Sequence, residues 1–404
     1  MPQAFRCGYG NTPQTDTRRA YMNISLKCKR AAALLLSISM LGTAAACTEN
    51  ASSAAPEESV AQLVQSDGTA RVYIEDGQFK VNGEEIWFCG TNTPWDNWDD
   101  FGRDFDADFW DTHFSDLHAA GINSSRVWIL CSGDYGIQFD ANGYVTGMTD
   151  QFWADVDALM AIAAKHEIYI MATMMSFDCC KTGNRNHKKF RNMINDENIL
   201  QSYIDHYIIP FAKRYDSNDY LYSIDICNEP DWINENEECG RLEVMPLVRY
   251  YARISAAIHQ NSDILVTTGI AMVRNNSDTI KLNWVGDIAM TQYGGKDACM
   301  DFYSVHFYDW MLPHWGNPFE KSPAEYGLDT TKPNVMGECS ANGSVQKDMD
   351  LCEAAQSMYD KGWDGVFPWT STGTDGNGGF AEVSAYANHM VGQIPELIFP
   401  LDYD

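Results

Sequence analysis

Leu221-Tyr222-Ser223-Ile224-Asp225-Ile226-Cys227 is a short apolar run that leads into Asn228-Glu229-Pro230. It reads as a strand covered on both faces, with a carboxylate where the strand gives way to a loop. Seven further runs share the pattern: 86–92, 125–130, 169–175, 264–270, 302–307, 334–337 and 365–369. Helical periodicities lie between several of them. Phe109, Phe114, Leu117 and Ala120 share one face, as do Phe152, Val156, Leu159, Met160 and Ala163. Ile199, Tyr203, Tyr207, Ile208 and Phe211 make a third stripe, and Val248, Tyr251, Ile254 and Ile258 a fourth. Strand and helix alternating through eight strands predict an α/β fold, the (β/α)8 TIM barrel. An open doubly wound sheet is the alternative, but no Gly-rich phosphate loop follows the first strand. Ahead of the barrel, Asp76-Gly77 and Asn82-Gly83 frame Gln78–Val81 and predict a short hairpin covering its bottom.

A barrel places its chemistry where strands run into their following loops. The strand ends read Arg126-Val127-Trp128, Asn228-Glu229-Pro230, His306-Phe307-Tyr308, Gly337-Glu338-Cys339 and Pro368-Trp369. Glu229 and Glu338 both follow strongly apolar segments, where an acid is costly unless it has a partner or a task. In this set the chain resembles the clan A glycoside hydrolases, and within them family 5. Asn228-Glu229-Pro230 is similar to the clan's acid/base motif after strand four, and Glu338 to its nucleophile on strand seven. Arg126 is similar to the strand-two arginine, His306 and Tyr308 to the strand-six His-x-Tyr, and Trp369 to the strand-eight tryptophan. The resemblance runs from about Tyr73 to the C-terminus, and its matches fall in order on different strand ends.

The resemblance implies hydrolysis of a glycoside with retention, through a covalent intermediate, by carboxyl groups about 5–5.5 Å apart. Glu229 would donate the proton and must rest protonated. Glu338 would attack and must rest ionised, favoured by Arg126 and the Tyr308 phenol. Asn228 would hydrogen-bond the sugar 2-hydroxyl, and Trp369 would floor the subsite where the sugar distorts. Taken singly, Glu229 is a helix-start acid beside Pro230, Arg126 a barrel ion-pair residue, and His306 a satisfied core histidine. Trp95 and Trp98 follow strand one and either line outer subsites or pack under their loop. Asp134, Asp178, Asp231 and Asp375 read as solvated or turn-forming loop acids. No metal site and no cofactor is expected.

The 404 residues carry 28 Lys and Arg against 56 Asp and Glu, a formal charge of −28. That field repels nucleic acid, anionic lipid and polyanionic polysaccharide, and leaves neutral polymers as ligands. The expected partner is a neutral polysaccharide. Arg126-Val127-Trp128 is similar to the β-mannanases of the family. The loop entry Met174-Met175-Ser176-Phe177-Asp178 lacks the histidine that many of the family's cellulases carry there. The expected activity is therefore endo-β-1,4-mannanase, with an endo-β-1,4-glucanase or a non-catalytic carbohydrate-binding barrel as alternatives.

Lys27, Lys29 and Arg30 precede the apolar run 31–40, and Ala44-Ala45-Ala46-Cys47 follows. This is the pattern of a secretory signal, too short to span a membrane comfortably. Residues 1–47 read as signal region, with Met22 as an alternative start. Cys47 reads as a lipidation site despite Ala44 standing where a lipoprotein signal usually has Leu; ordinary cleavage near Ala46 is the alternative. Residues 48–70 read as a flexible acidic linker and 71–404 as the catalytic domain, cell-surface or extracellular, touching a membrane only through the anchor. Of 12 cysteines, 9 lie in the domain. No C-x-x-C pair suggests zinc, and an odd number leaves at least one unpaired in a monomer.

Overall fold

In the computed structural model the described residues are 63–280 and 282–403. The signal region and Cys47 lie outside them, as does most of the expected linker. Thirteen strands occur among the described residues. β1 (Val72–Glu75), β2 (Gln78–Val81) and β3 (Glu84–Glu85) form an antiparallel meander. β4 (Phe88–Asn92) and β5 (Ser124–Trp128) open the barrel, and β6 (Ile137–Phe139) with β7 (Val145–Met148) is a hairpin in the loop after β5. β8 (Tyr169–Thr173), β9 (Leu221–Asn228), β10 (Leu265–Ile270), β11 (Tyr303–Phe307), β12 (Asn334–Ser340) and β13 (Gly365–Trp369) complete it. The closed order is β4-β5-β8-β9-β10-β11-β12-β13, all parallel, with β13 pairing back onto β4. The eight expected runs are the eight barrel strands.

Local chemistry sets the helix ends. The Asp106 carboxylate accepts from the Asp108 and Phe109 amides to start Ala107–Ala120, and Gly121, at φ 98°, ends it. Thr149 caps Asp150–Lys165, and Asp350 with Glu353 forms a capping box on Leu351–Asp360. The third stripe departs from one regular helix. Glu197–Tyr203 and Ile209–Tyr215 are joined by a π turn over Ile204–Ile208. Pro210 has no N–H to donate to the preceding turn, and the wider turn accommodates that loss.

The expected hairpin at the barrel bottom is a three-stranded meander, because both turns reverse the chain. Asp76 (φ 54°) with Gly77 (φ 78°), and Asn82 (φ 49°) with Gly83 (φ 93°), take the left-handed pairs that suit tight hairpins. Val72, Phe79 and Val81 point into the barrel end and pack on Phe88, Tyr222 and Phe302. Phe79 meets Phe88 and Phe302 edge-on at 4.9 and 5.1 Å. The end of the expected linker is also held: the Ser66 amide donates to Ser217 O at 2.9 Å, and the Ala70 amide to Asp219 Oδ2 at 3.2 Å. A polar segment with little to bury can still be fixed by main-chain hydrogen bonds.

Three parallel registers slip near the C-terminal rim: between Thr267 and Gly269, between Val305 and His306, and between Met336 and Cys339. The slips stand at or beside Gly269, His306 and Glu338, which the site uses. All nine described cysteines are free thiols, seven of them buried, filling core space as small apolar groups.

Removing the Phe79 ring empties a space lined by fixed aromatic rings. Phe79→Ala should lower the unfolding free energy by about 3–5 kcal/mol, read as a lower urea midpoint. Because the plug lies at the opposite end from the strand C-termini, kcat of the folded fraction should change less than about twofold.

Candidate active site

Arg126 leaves β5 inside the barrel with no solvent exposure. Its guanidinium is fully engaged. Nε and Nη2 reach Asp225 Oδ2 at 2.9 and 2.7 Å, and Nη2 also donates to Asn228 Oδ1 at 2.9 Å. Nη1 donates to Glu338 Oε1 at 2.7 Å and to Asn92 Oδ1 at 3.0 Å. One cation thus ties β4, β5, β9 and β12 together. Asp225 is held from its other sides by Thr173 Oγ1 at 2.9 Å and the Gly269 amide at 3.0 Å. The fork geometry and permanent charge of arginine suit this task, and lysine could not span it.

Glu229 follows the last residue of β9 and takes a left-handed backbone conformation, φ 45°. Its amide donates to Gly269 O at 2.8 Å, and its Oε1 lies 3.0 Å from His306 Nδ1. Glu338, from β12, accepts from Arg126 on Oε1 and from the Tyr308 hydroxyl on Oε2, the latter at 2.9 Å. His306 Nδ1 is also 3.4 Å from Glu338 Oε2. Carboxylate oxygens of Glu229 and Glu338 and a ring nitrogen of His306 all lie within 4.8 Å of one another. The two acids therefore share one small space, as the retaining arrangement requires.

Burial pushes the Glu229 carboxyl up to about 7, against the pull of the Arg126 charge and a Trp232 hydrogen bond. Burial also pushes Glu338 upward; His306 and Arg126 oppose it, the Glu229 charge adds to it, and the Tyr308 hydroxyl opposes it again. Glu338 has the Arg126 cation on one oxygen and the Tyr308 hydroxyl on the other, whereas Glu229 meets the imidazole and the Trp232 hydrogen bond, neither of them charged. A proton shared between them rests on Glu229. Burial lowers His306 to about 4, so its ring is neutral at pH 7.

Every expected strand-end residue reaches this centre or its rim. Asn228 has its amide oxygen fixed by Arg126, which leaves the NH2 end for a ligand. Trp369 is buried, donates to Asp375 Oδ2 at 3.3 Å, and lies 5.5 Å from the Trp128 ring. Trp95 stands edge-on to Trp98, Trp128 and Trp369 at 4.6, 5.1 and 5.8 Å. Trp95 is thus a packing partner of the rim aromatics, while Trp98 is exposed. A second aromatic pair, Trp232 with exposed Trp310 at 6.2 Å, stands beyond Glu229.

Asp231 departs from its reading as a solvated loop acid. It is fully buried and accepts from the Ala271 and Met272 amides at 3.1 and 2.8 Å. Asp134 accepts from the Arg185 and Asn186 amides at 3.0 Å each, tying its loop to a segment about 50 residues on, and Asp178 pairs with Lys181 at 2.6 Å. Asn92 and Asp225 were not singled out from sequence. The signal for Asp225 was present, a lone carboxylate inside an apolar strand. Among the described residues two groups could hold a metal, Glu229/His306/Glu338 and His259/Cys299/Asp301. The carboxylates of the first are engaged by Arg126, Tyr308 and His306. In the second, His259 bridges Asp297 O at 2.7 Å and Asp301 Oδ2 at 2.9 Å. We assign no metal to either.

A Cβ on Gly269 would stand 2.6 Å from His306 Nε2 and 3.0 Å from Arg126 Nη2, both fully buried. Gly269→Ala must displace one of them. Since small displacements in such sites are costly, kcat/KM should fall by about 100-fold, with the circular dichroism spectrum retained.

No protein-family model matches the chain. It is 29% identical over 352 residues to a mannan endo-1,4-beta-mannosidase of Mytilus edulis, covering 79% of this chain and 93% of that protein. It is 24% identical over 355 residues to a second protein of that name, from Cryptopygus antarcticus, covering 78% of this chain and 86% of the other. Among solved structures, the β-mannanase of Mytilus edulis superposes with a TM-score of 0.69 at 26% identity, over 80% of this chain and 97% of that one. The endo-1,4-beta-mannanase of Eisenia fetida shares the fold with a TM-score of 0.71 at 24% identity, over 80% and 96%. In sequence and in fold the chain is similar to these endo-1,4-β-mannanases, and it is an O-glycosyl hydrolase.

Proposed function

We propose that the protein is a retaining endo-β-1,4-mannanase acting on neutral plant polysaccharide. The observation that carries the mechanism is the Glu229/Glu338 pair, with oxygens within 4.8 Å and unlike donor sets. Similarity to two mannan endo-1,4-beta-mannosidases supports the substrate. The charge of −28 suits an uncharged polymer.

In the first step Glu338 attacks the anomeric carbon while Glu229 passes its proton to the departing glycosidic oxygen. The C–O bond electrons leave with that oxygen as a hydroxyl. In the second step Glu229, now ionised, takes a proton from water as the water oxygen displaces Glu338. Arg126 and Tyr308 hold the Glu338 carboxylate in line and reclaim their full hydrogen bonds when it is released. Asn228 Nδ2 is placed to meet the sugar 2-hydroxyl, and the tryptophans at the rim offer flat apolar faces to the sugar rings.

We also propose export with tethering through Cys47, supported by the basic residues, apolar run and Ala-Ala-Ala-Cys sequence. Mass spectrometry of the mature protein should find an acylated N-terminal Cys47, and an unmodified terminus would refute the tether.

The two acids should fail differently. Glu229→Ala should lower kcat on mannan by about 10²–10⁴-fold. An aryl mannoside whose phenolate leaves unaided should keep its first step, with azide restoring turnover. Glu338→Ala should lose activity on both substrates. In the wild type the basic limb of kcat/KM should fall near pH 7, where Glu229 gives up its proton. Equal loss on both substrates for Glu229→Ala would remove it from the proton-donor role.

A further inference from the structure

Asp231 stands two residues after the acid/base and belongs to none of the groups that face the nucleophile. Its carboxylate is buried among main-chain donors of the next strand's loop. Oδ1 accepts from the Ala271 amide at 3.1 Å, and Oδ2 from the Met272 amide at 2.8 Å and Asn275 Nδ2 at 3.2 Å. From the same segment, the Glu229 amide donates to Gly269 O at 2.8 Å. The stretch Glu229–Asp231 is therefore clipped to Gly269–Met272 at both ends, and between the clips Glu229 holds a left-handed conformation, φ 45°. A non-glycine residue stays there only where its surroundings over-determine it. Three N–H donors around one carboxylate favour its ionised form.

We propose that Asp231 is the positioning residue of the acid/base: it locks the strained backbone of Glu229 onto the β10 loop and sets a fixed negative charge behind it. This rests on reading Glu229 as the proton donor. The clip explains why an acid is buried here at all. An uncharged side chain of similar size could fill the space, but it would leave the Ala271 and Met272 amides short of a strong acceptor. The charge has a direction as well. Repulsion between neighbouring carboxylates raises their joint affinity for a proton. Asp231 has three donors for its anion, against the imidazole and the Trp232 hydrogen bond at Glu229, so the proton is directed to Glu229. The two groups sit at about 6 and about 7 in that order, burial being the larger cause for each.

Other charges act on Glu229 too. Arg126 from β5 and Lys181 from the loop after β8 favour its ionised form, and Asp178 from that loop favours the protonated one. His306 and Tyr308 from the end of β11, with Glu338 from β12, complete the surroundings. All of these are unchanged by a substitution at Asp231, so its effect is separable.

The test is Asp231→Asn, which preserves shape and removes the charge. It is assayed on a soluble polysaccharide that the wild type hydrolyses and on an aryl glycoside of the same sugar with a good leaving group. Without the adjacent anion Glu229 loses its proton more easily, so the basic limb of kcat/KM should move to lower pH by about half a unit or more. kcat on polysaccharide should fall about tenfold or more, with KM within about twofold and with a smaller loss on the aryl glycoside. An unmoved basic limb, or equal losses on both substrates, would reduce Asp231 to a structural residue and overturn the proposal. Asn275→Ala, which removes one donor from the Asp231 anion and so makes that anion easier to protonate, should move the limb the same way by less. If Asp231→Asn does not fold, an unmoved limb in Asn275→Ala overturns the proposal by itself. A wild type inactive on mannan but active on another β-1,4-glycan would contradict the substrate assignment and leave this comparison in force. A Glu229→Ala enzyme without leaving-group dependence would contradict the acid/base assignment instead.

Discussion

The buried guanidinium of Arg126 is the contact on which the site depends. A cation wholly removed from water must be met on every donor, and here Asp225, Glu338, Asn92 and Asn228 meet it. Removing one partner of such a group leaves an uncompensated charge, at a cost of about 3–5 kcal/mol. The arrangement therefore has little freedom. It fixes β4, β5, β9 and β12 relative to one another at the rim where the chemistry occurs. It also aims the nucleophile, because Glu338 Oε1 is taken by Arg126 and Oε2 by Tyr308.

From that fixed cation follows the asymmetry between two acids of the same type. Both are buried and both are pushed upward by burial. Glu338 sits in direct contact with the cation and a phenol, while Glu229 meets a neutral ring. A small difference in partners thus separates a proton donor from a nucleophile within one crowded space. The lattice of glycines around it serves the same end: Gly269 lets His306 and Arg126 approach the β10 backbone where any Cβ would intrude.

The barrel was legible because parallel strands covered on both faces read as unbroken apolar runs, and Leu221–Asn228 is the clearest example. Glu229 and Glu338 were legible because acids stand out at the ends of such runs. Asn92 and Asp225 were not, because sequence does not show which polar residues inside a strand turn inward to meet a cation. Asp231 was misread for a related reason. A loop aspartate is usually solvated, and its burial comes from the β10 loop, about 40 residues on in the chain, folding over it. Trp95 was undecided between subsite and packing until its edge contacts with Trp98, Trp128 and Trp369 placed it among its neighbours. The π turn at Ile204–Ile208 had a signal in Pro210, but the apolar stripe runs through it without interruption.

The spacing of Glu229 and Glu338 makes the stereochemistry of the first product the most direct measure of the account. Facing acids this close leave no room for a water between the nucleophile and the sugar, so Glu338 itself must attack. Proton NMR of the reaction in its first minutes, before mutarotation, resolves the anomeric configuration of the new reducing end. With Glu338 as nucleophile, the β configuration should appear first and decay toward the equilibrium mixture. Initial appearance of the α configuration would mean direct displacement by water, and would contradict both the role of Glu338 and the arrangement built around Arg126.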